Sequence, residues 1–140
     1  MATYNKFNLT TQNMMKGVMN FNSDTIKVAL SNSAPVATNA VFADISEISA
    51  GNGYSAGGST TTISISNASG VEKIVATDVI FTASGGTIGP FRYVIVYDDT
   101  PTSPADPLIS WFDYGSSITL NSGDTFTVDF DGTAGFFTVT

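Results

Sequence analysis

The chain has no cysteine and no histidine. The first absence excludes disulfides, a thiol nucleophile and thiolate metal ligation. The second removes the commonest general base, the usual serine-triad partner and the usual zinc or copper ligand. Charge is also scarce, with only 12% Asp, Glu, Lys and Arg, about half the ordinary share. The five basic residues are Lys6, Lys16, Lys27, Lys73 and the lone Arg92, against twelve acids, for a net charge of −7. With no basic cluster, neither a nucleic-acid backbone nor an anionic membrane surface is an expected partner. No apolar run approaches the length of a membrane-spanning helix. The opening MATYNKFN lacks the charged and apolar regions of a Sec signal peptide.

What is present is a chain able to fold. At 140 residues and 42% apolar composition it has the size of about one domain. Residues 5–21, NKFNLTTQNMMKGVMNF, place Phe7, Met14, Met15, Val18 and Met19 at helical spacing, which predicts a helix capped by Asn5. Gly17 and the β-branched residues weaken that helix, so packing against a sheet must hold it. Its methionines also suit a pliable contact surface.

From residue 23 the period changes to two. DTIKVAL (24–30), TTISISN (61–67) and TFTVDF (125–130) alternate apolar and polar residues. Further strands are expected at 74–81, 92–97, 108–114, 118–120 and 136–139, with turn signals such as ASGG, DDTPTSP, NSG and DGTAG between them. About eight short strands predict an all-β, antiparallel β-sandwich or jelly-roll-like domain over 23–140, preceded by an N-terminal arm or helix over 1–22. Residues 31–59 form the longest irregular stretch, with one more strand around Val41–Ile48 or a short helix at DISEIS as its alternatives. Tyr54, between glycines in that stretch, reads as an exposed contact residue.

The segment GPFRYVIVYDDT, residues 89–100, poses a choice between an active-site edge and a buried strand. Both alternate faces of RYVIVY are apolar, which predicts a strand covered on both sides and central in its sheet. Asp98 and Asp99 then end that strand, and Arg92 is expected to pair with a carboxylate or cover an aromatic ring. The strand is the stronger reading. Asp113, Asp129 and Asp131 lie among aromatics, yet both glutamates, Glu47 and Glu72, read as exposed, so a glycosidase pair is not favoured. The acid sets Asp98, Asp99 and Asp106, or Asp124, Asp129 and Asp131, supply hard oxygen atoms but match no defined calcium loop. The glycine-rich stretches AGNGYSAGGS and SGGTIGP match no phosphate-binding pattern. No catalytic, cofactor-binding or metal-ligating residue is therefore assigned. In WFDYG (111–115), Trp111 and Tyr114 fall on opposite strand faces and are candidate interface anchors.

Several phrases together resemble a group of small tailed-bacteriophage virion proteins. They are MATYNKFN, SDTIKVALSNSAPVATNAVFADISEISAGNGYSAGG, FTASGGTIGPFRYVIVYDDT and PLISWFDYGSSITLNSGDTFTVDF, which span nearly the whole chain. The resemblance implies a non-enzymatic structural protein, made in a bacterial cytoplasm and incorporated into a virion. It further implies a capsid decoration (cement) protein on the major capsid protein, or a tail, neck or fibre-associated component. Many copies in a symmetric homo-oligomer are implied too; on general grounds closed symmetry is expected, a trimer for instance. No site residues transfer from it. From the residues themselves, Phe7, Met14, Met15 and Met19 on the helix, with Tyr54, Trp111 and Tyr114, are the candidate protein contacts. Tyr54, Trp111 and Tyr114 would equally serve as stacking platforms in a carbohydrate- or receptor-binding module.

Overall fold

A computed structural model describes residues 2–139. The described residues are mainly β-strand, in antiparallel sheets, with one short α-helix. Ten strands occur among them: β1 Thr3–Lys6, β2 Ile26–Ser31, β3 Ser59–Thr61, β4 Ile63–Ala68, β5 Val71–Ala76, β6 Val79–Thr82, β7 Ile88–Asp98, β8 Leu108–Leu120, β9 Thr125–Val128 and β10 Phe137–Val139. They divide into a five-stranded sheet, β1-β8-β7-β2-β3, a three-stranded sheet, β10-β5-β4, and a two-stranded sheet, β6-β9. No described helix is long and apolar enough to cross a membrane.

The main core lies where the two small sheets meet one face of the large one. Ile26, Val28 and Leu30 of β2 and Val94 and Val96 of β7 face Ile74 of β5, Phe81 of β6, Val128 of β9 and Phe137 of β10. Each such aliphatic or aromatic side chain, taken out of water, contributes roughly 1.5–3 kcal/mol.

β7 is the central strand of the large sheet, flanked by β8 and β2. Its second face explains the doubly apolar RYVIVY pattern. Tyr93, Ile95 and Tyr97 point away from the main core into a smaller cluster with Phe7, Ala29, Leu108 and Trp111. The irregular stretch after β2 covers this cluster with Ala37, Phe42 and Ile45. Phe42 lies flat on Tyr97, ring centroids 4.1 Å apart and 9° from parallel. The stretch therefore holds neither the strand expected around Val41–Ile48 nor a helix at DISEIS. It carries one 3₁₀ turn at Phe42–Asp44, closed by Asp44 Oδ2 accepting from the Ala40 and Val41 amides.

Three predicted elements divide or merge for identifiable reasons. The stretch 61–67 is interrupted at Thr62, where the chain passes from the large sheet (β3) to the three-stranded one (β4). Thr77 fastens that corner: Thr61 Oγ1 donates to its carbonyl at 2.7 Å, and the Thr62 amide donates to its Oγ1 at 3.0 Å. The same corner breaks 74–81 into β5 and β6, with Asp78 Oδ1 accepting from the Phe130 amide. Conversely, 108–114 and 118–120 are one strand, β8. Tyr93 pairs with Asp113 and Phe91 with Ile118, so residues 114–117 bulge out of the ladder between them.

The N-terminal expectation needs the largest correction. Helix α1 spans only Thr10–Met15 and ends before Gly17, whose φ of +72° an L side chain rarely adopts. Asn5 is not its cap, because Thr3–Lys6 pairs with β8 from Thr3↔Asp113 to Lys6↔Ser110. Residues 1–22 are thus no detachable arm among the residues described: β1 extends the large sheet, and Phe7, Met19 and Phe21 are core residues. Buried Thr10 anchors α1 by donating its Oγ1 to the Ile109 carbonyl at 2.7 Å.

Candidate functional site

The seven side chains singled out in the sequence do not converge. Phe7 is 1% exposed and packs on Trp111, centroids 4.5 Å apart. Trp111 itself is 9% exposed, because the outer face of β8 is covered by Phe7. Met19 is buried in the main core and Met14 is half-buried against it. Tyr54, expected at the surface, is 3% exposed and packs on Phe81 in the main core. Only Met15 and Tyr114 are exposed. The stacking platform of Tyr54, Trp111 and Tyr114 is not formed.

The residues around Tyr54 are structural. Its hydroxyl accepts from the Leu30 amide and donates to Glu47 Oε1, and burial raises its pKa above the ordinary tyrosine value. Glu47 is half-buried rather than exposed, and also accepts from the Gly57 amide at 2.6 Å. Tyr97 donates to the Gly57 carbonyl at 2.7 Å. Arg92 realises both expectations made for it. It forms a bidentate pair with Asp113, at 2.7 and 3.0 Å, and its guanidinium lies 5.4 Å from the Tyr93 ring centroid. Arg92 holds the Asp113 carboxyl below its usual range. Among the described residues, no three acidic side chains converge as a metal would require.

Two surface features have the form of sites. One is the β4–β5 hairpin. Its turn, Ser69-Gly70, has positive φ at both positions, the two-residue geometry that continues strand twist. Every residue from Ser64 to Val71 is exposed, on both faces of the ribbon. Ile65 and Val71 are 47% and 37% exposed, and β4 is the outermost strand of its sheet.

The other is a cleft of about 620 Å³ where the edge strand β1 faces β10 and the segment after β9. Tyr4, Phe112, Phe130 and Phe136 line it, with Lys6, Asp129 and Asp131 also on its walls. A second hollow, about 200 Å³, shares Phe112, Asp129 and Phe130 and continues to Phe126 and Tyr114. The rings interlock edge to face: Tyr4 with Phe112 at 5.4 Å, Phe112 with Phe130 at 6.0 Å, and Tyr114 with Phe126 at 5.6 Å. Asp131 is committed to its own turn, accepting from the Thr133 and Ala134 amides. Burial pushes the Tyr4 hydroxyl up to about 12, with the neighbouring Ser110 hydroxyl opposing the shift. Sequence reading missed Tyr4 because its short TYNK segment has no period of two and abuts a helical one. DFD with its neighbouring phenylalanines was the legible half of this cleft.

No family model matches this chain, and neither the curated proteins nor the solved structures include a match to it.

Proposed function

We propose that this chain is a structural protein of a tailed-bacteriophage virion, with capsid decoration on the major capsid protein as the first reading and a tail, neck or fibre position as the alternative. The sequence resemblance is one support. The observation that carries the reading on the molecule is the β4–β5 hairpin. An unpaired strand edge bearing apolar side chains is a liability that soluble proteins blunt or cover. Here it projects with Ile65 and Val71 in water, as suits a ribbon that is buried in an assembly. A virion made of many copies supplies such a cover, from the capsid protein or from a second copy of this chain in a closed oligomer. The function is one of attachment, with no catalytic step and no cofactor.

The hairpin lies outside the candidate contacts named from the sequence, four of which fall within residues 1–22. Deleting residues 1–21 would remove β1 and core residues Phe7 and Met19, and so would test folding rather than docking. The informative variant is Ile65→Asp with Val71→Asp. It should fold, since both positions are exposed, and lose particle binding. Gold labelling with an antibody to the chain, on particles from a lysate containing it, provides the location. Label over heads is the expected result, and label confined to tails moves the assignment to the alternative. Particles without label, or full binding by the double variant, overturn the proposal.

A further inference from the structure

We infer that the aromatic cleft between β1 and β10 is a binding site for an uncharged oligosaccharide. This is independent of the virion assignment and uses different residues.

The shape is the starting point. The cleft and the smaller hollow share Phe112, Asp129 and Phe130 as a common wall. At about 620 Å³ the larger part lies inside the ordinary range of small-ligand sites, and its walls are mostly apolar and aromatic with a few polar groups, as such sites are. Tyr4 on the larger hollow and Tyr114 on the smaller are exposed rings, 38% and 45% accessible. Each is braced by a second ring behind it, Phe112 for Tyr4 and Phe126 for Tyr114, so the platforms are rigid before a ligand arrives.

The chemistry selects the ligand class. A pyranose has an apolar C–H face that lies on an aromatic ring and a rim of hydroxyls that need acceptors and donors. Asp129, exposed on the wall common to both hollows, accepts from hydroxyls, and carboxylate acceptors make the stronger kind of hydrogen bond. Lys6 at the opposite strand edge is a donor. Anionic ligands meet two wall carboxylates against one lysine, on a protein of net charge −7. A purely apolar ligand would strip water from Asp129 without replacing its hydrogen bonds. An uncharged polyol with an apolar face satisfies both constraints.

The test uses the full-length chain on an array of uncharged and anionic oligosaccharides, followed by calorimetric titration of the best uncharged binder. Tyr114→Ala and Asp129→Asn should each weaken binding roughly tenfold or more, as loss of a stacking ring or a charged acceptor does. Both positions are exposed, so the thermal midpoint should stay near that of the parent, which separates lost binding from lost fold. A Thr60→Ala variant, exposed and outside the cleft, should bind as the parent does. No uncharged oligosaccharide bound at millimolar concentration, preference for the anionic glycans, or binding untouched by both cleft substitutions would each overturn the inference.

Discussion

The Tyr54 hydroxyl stands 3.0 Å from the Leu30 amide nitrogen and 2.7 Å from Glu47 Oε1. It takes over the β2 ladder where β3 ends: β3 covers Ile26 to Val28, and beyond it the Leu30 amide turns to Tyr54 and the Leu30 carbonyl to the Ile48 amide. A side chain and a loop thereby satisfy an edge that would otherwise be buried without partners.

Tyr54→Phe keeps the ring on Phe81 and removes only this hydroxyl. It leaves a fully buried amide without an acceptor, which costs about 1–3 kcal/mol. Urea unfolding monitored by Trp111 fluorescence should show that loss. A midpoint equal to the parent's would mean that water substitutes for the hydroxyl.

Gly58 has a φ of +78°, and a Cβ there would stand 1.9 Å from the Val28 carbonyl oxygen. Gly70, at the hairpin turn, has a φ of +82° and nothing within 4 Å of the same position. Gly70→Ala should therefore cost only the left-handed backbone penalty, roughly 1–2 kcal/mol. Gly58→Ala adds a backbone clash and should cost ~3 kcal/mol or more. Denaturation midpoints for the pair check the difference, and equal losses would mean that β3 moves away from β2 at little cost.

Asp98 ends β7 fully buried, with one oxygen accepting from the Thr100 amide and the other without a partner. Burial, with the nearby carboxylates of Asp24 and Asp99, raises its pKa to about 7. In the unfolded chain the group ionises near its ordinary value of 3.8, so between these pH values the folded state holds a proton that the unfolded state has lost. Stability from this group therefore falls as pH rises from about 4 to about 7 and is level above that. Asp98→Asn cannot ionise. It should match the parent near pH 4 and exceed it by about 2–4 kcal/mol at pH 8. Parent and variant compared by denaturation across that range test this directly; a constant difference would mean that Asp98 is ionised throughout.

Much of this fold was legible because strands write their burial in a period of two. RYVIVY, apolar on both faces, is the middle strand of the large sheet, and the Asp-Pro-rich stretch after it does end it. The solitary guanidinium of Arg92 had few ways to be satisfied, and it takes both of those foreseen. Periodicity failed where two periods abut. Phe7 and Met19 fit a helical face by spacing, yet only Thr10–Met15 is helical, since Tyr4 and Lys6 pair on a sheet edge.

By itself, then, the sequence determined the class of structure: an antiparallel all-β chain with one short helix, whose residues hold no cysteine or histidine chemistry. It determined this because alternation and turn residues act locally. Which aromatics face water was decided only by the tertiary structure. Tyr54 and Trp111 carry the same signature as Tyr114, but Tyr54 turns into the main core against Phe81, and Phe7, distant in sequence, closes on Trp111. Tyr4 and Phe130, 126 positions apart, meet in one cleft because β1 pairs with β8 beside the chain that follows β9. Exposure depends on what arrives from elsewhere in the chain, and no local pattern records it.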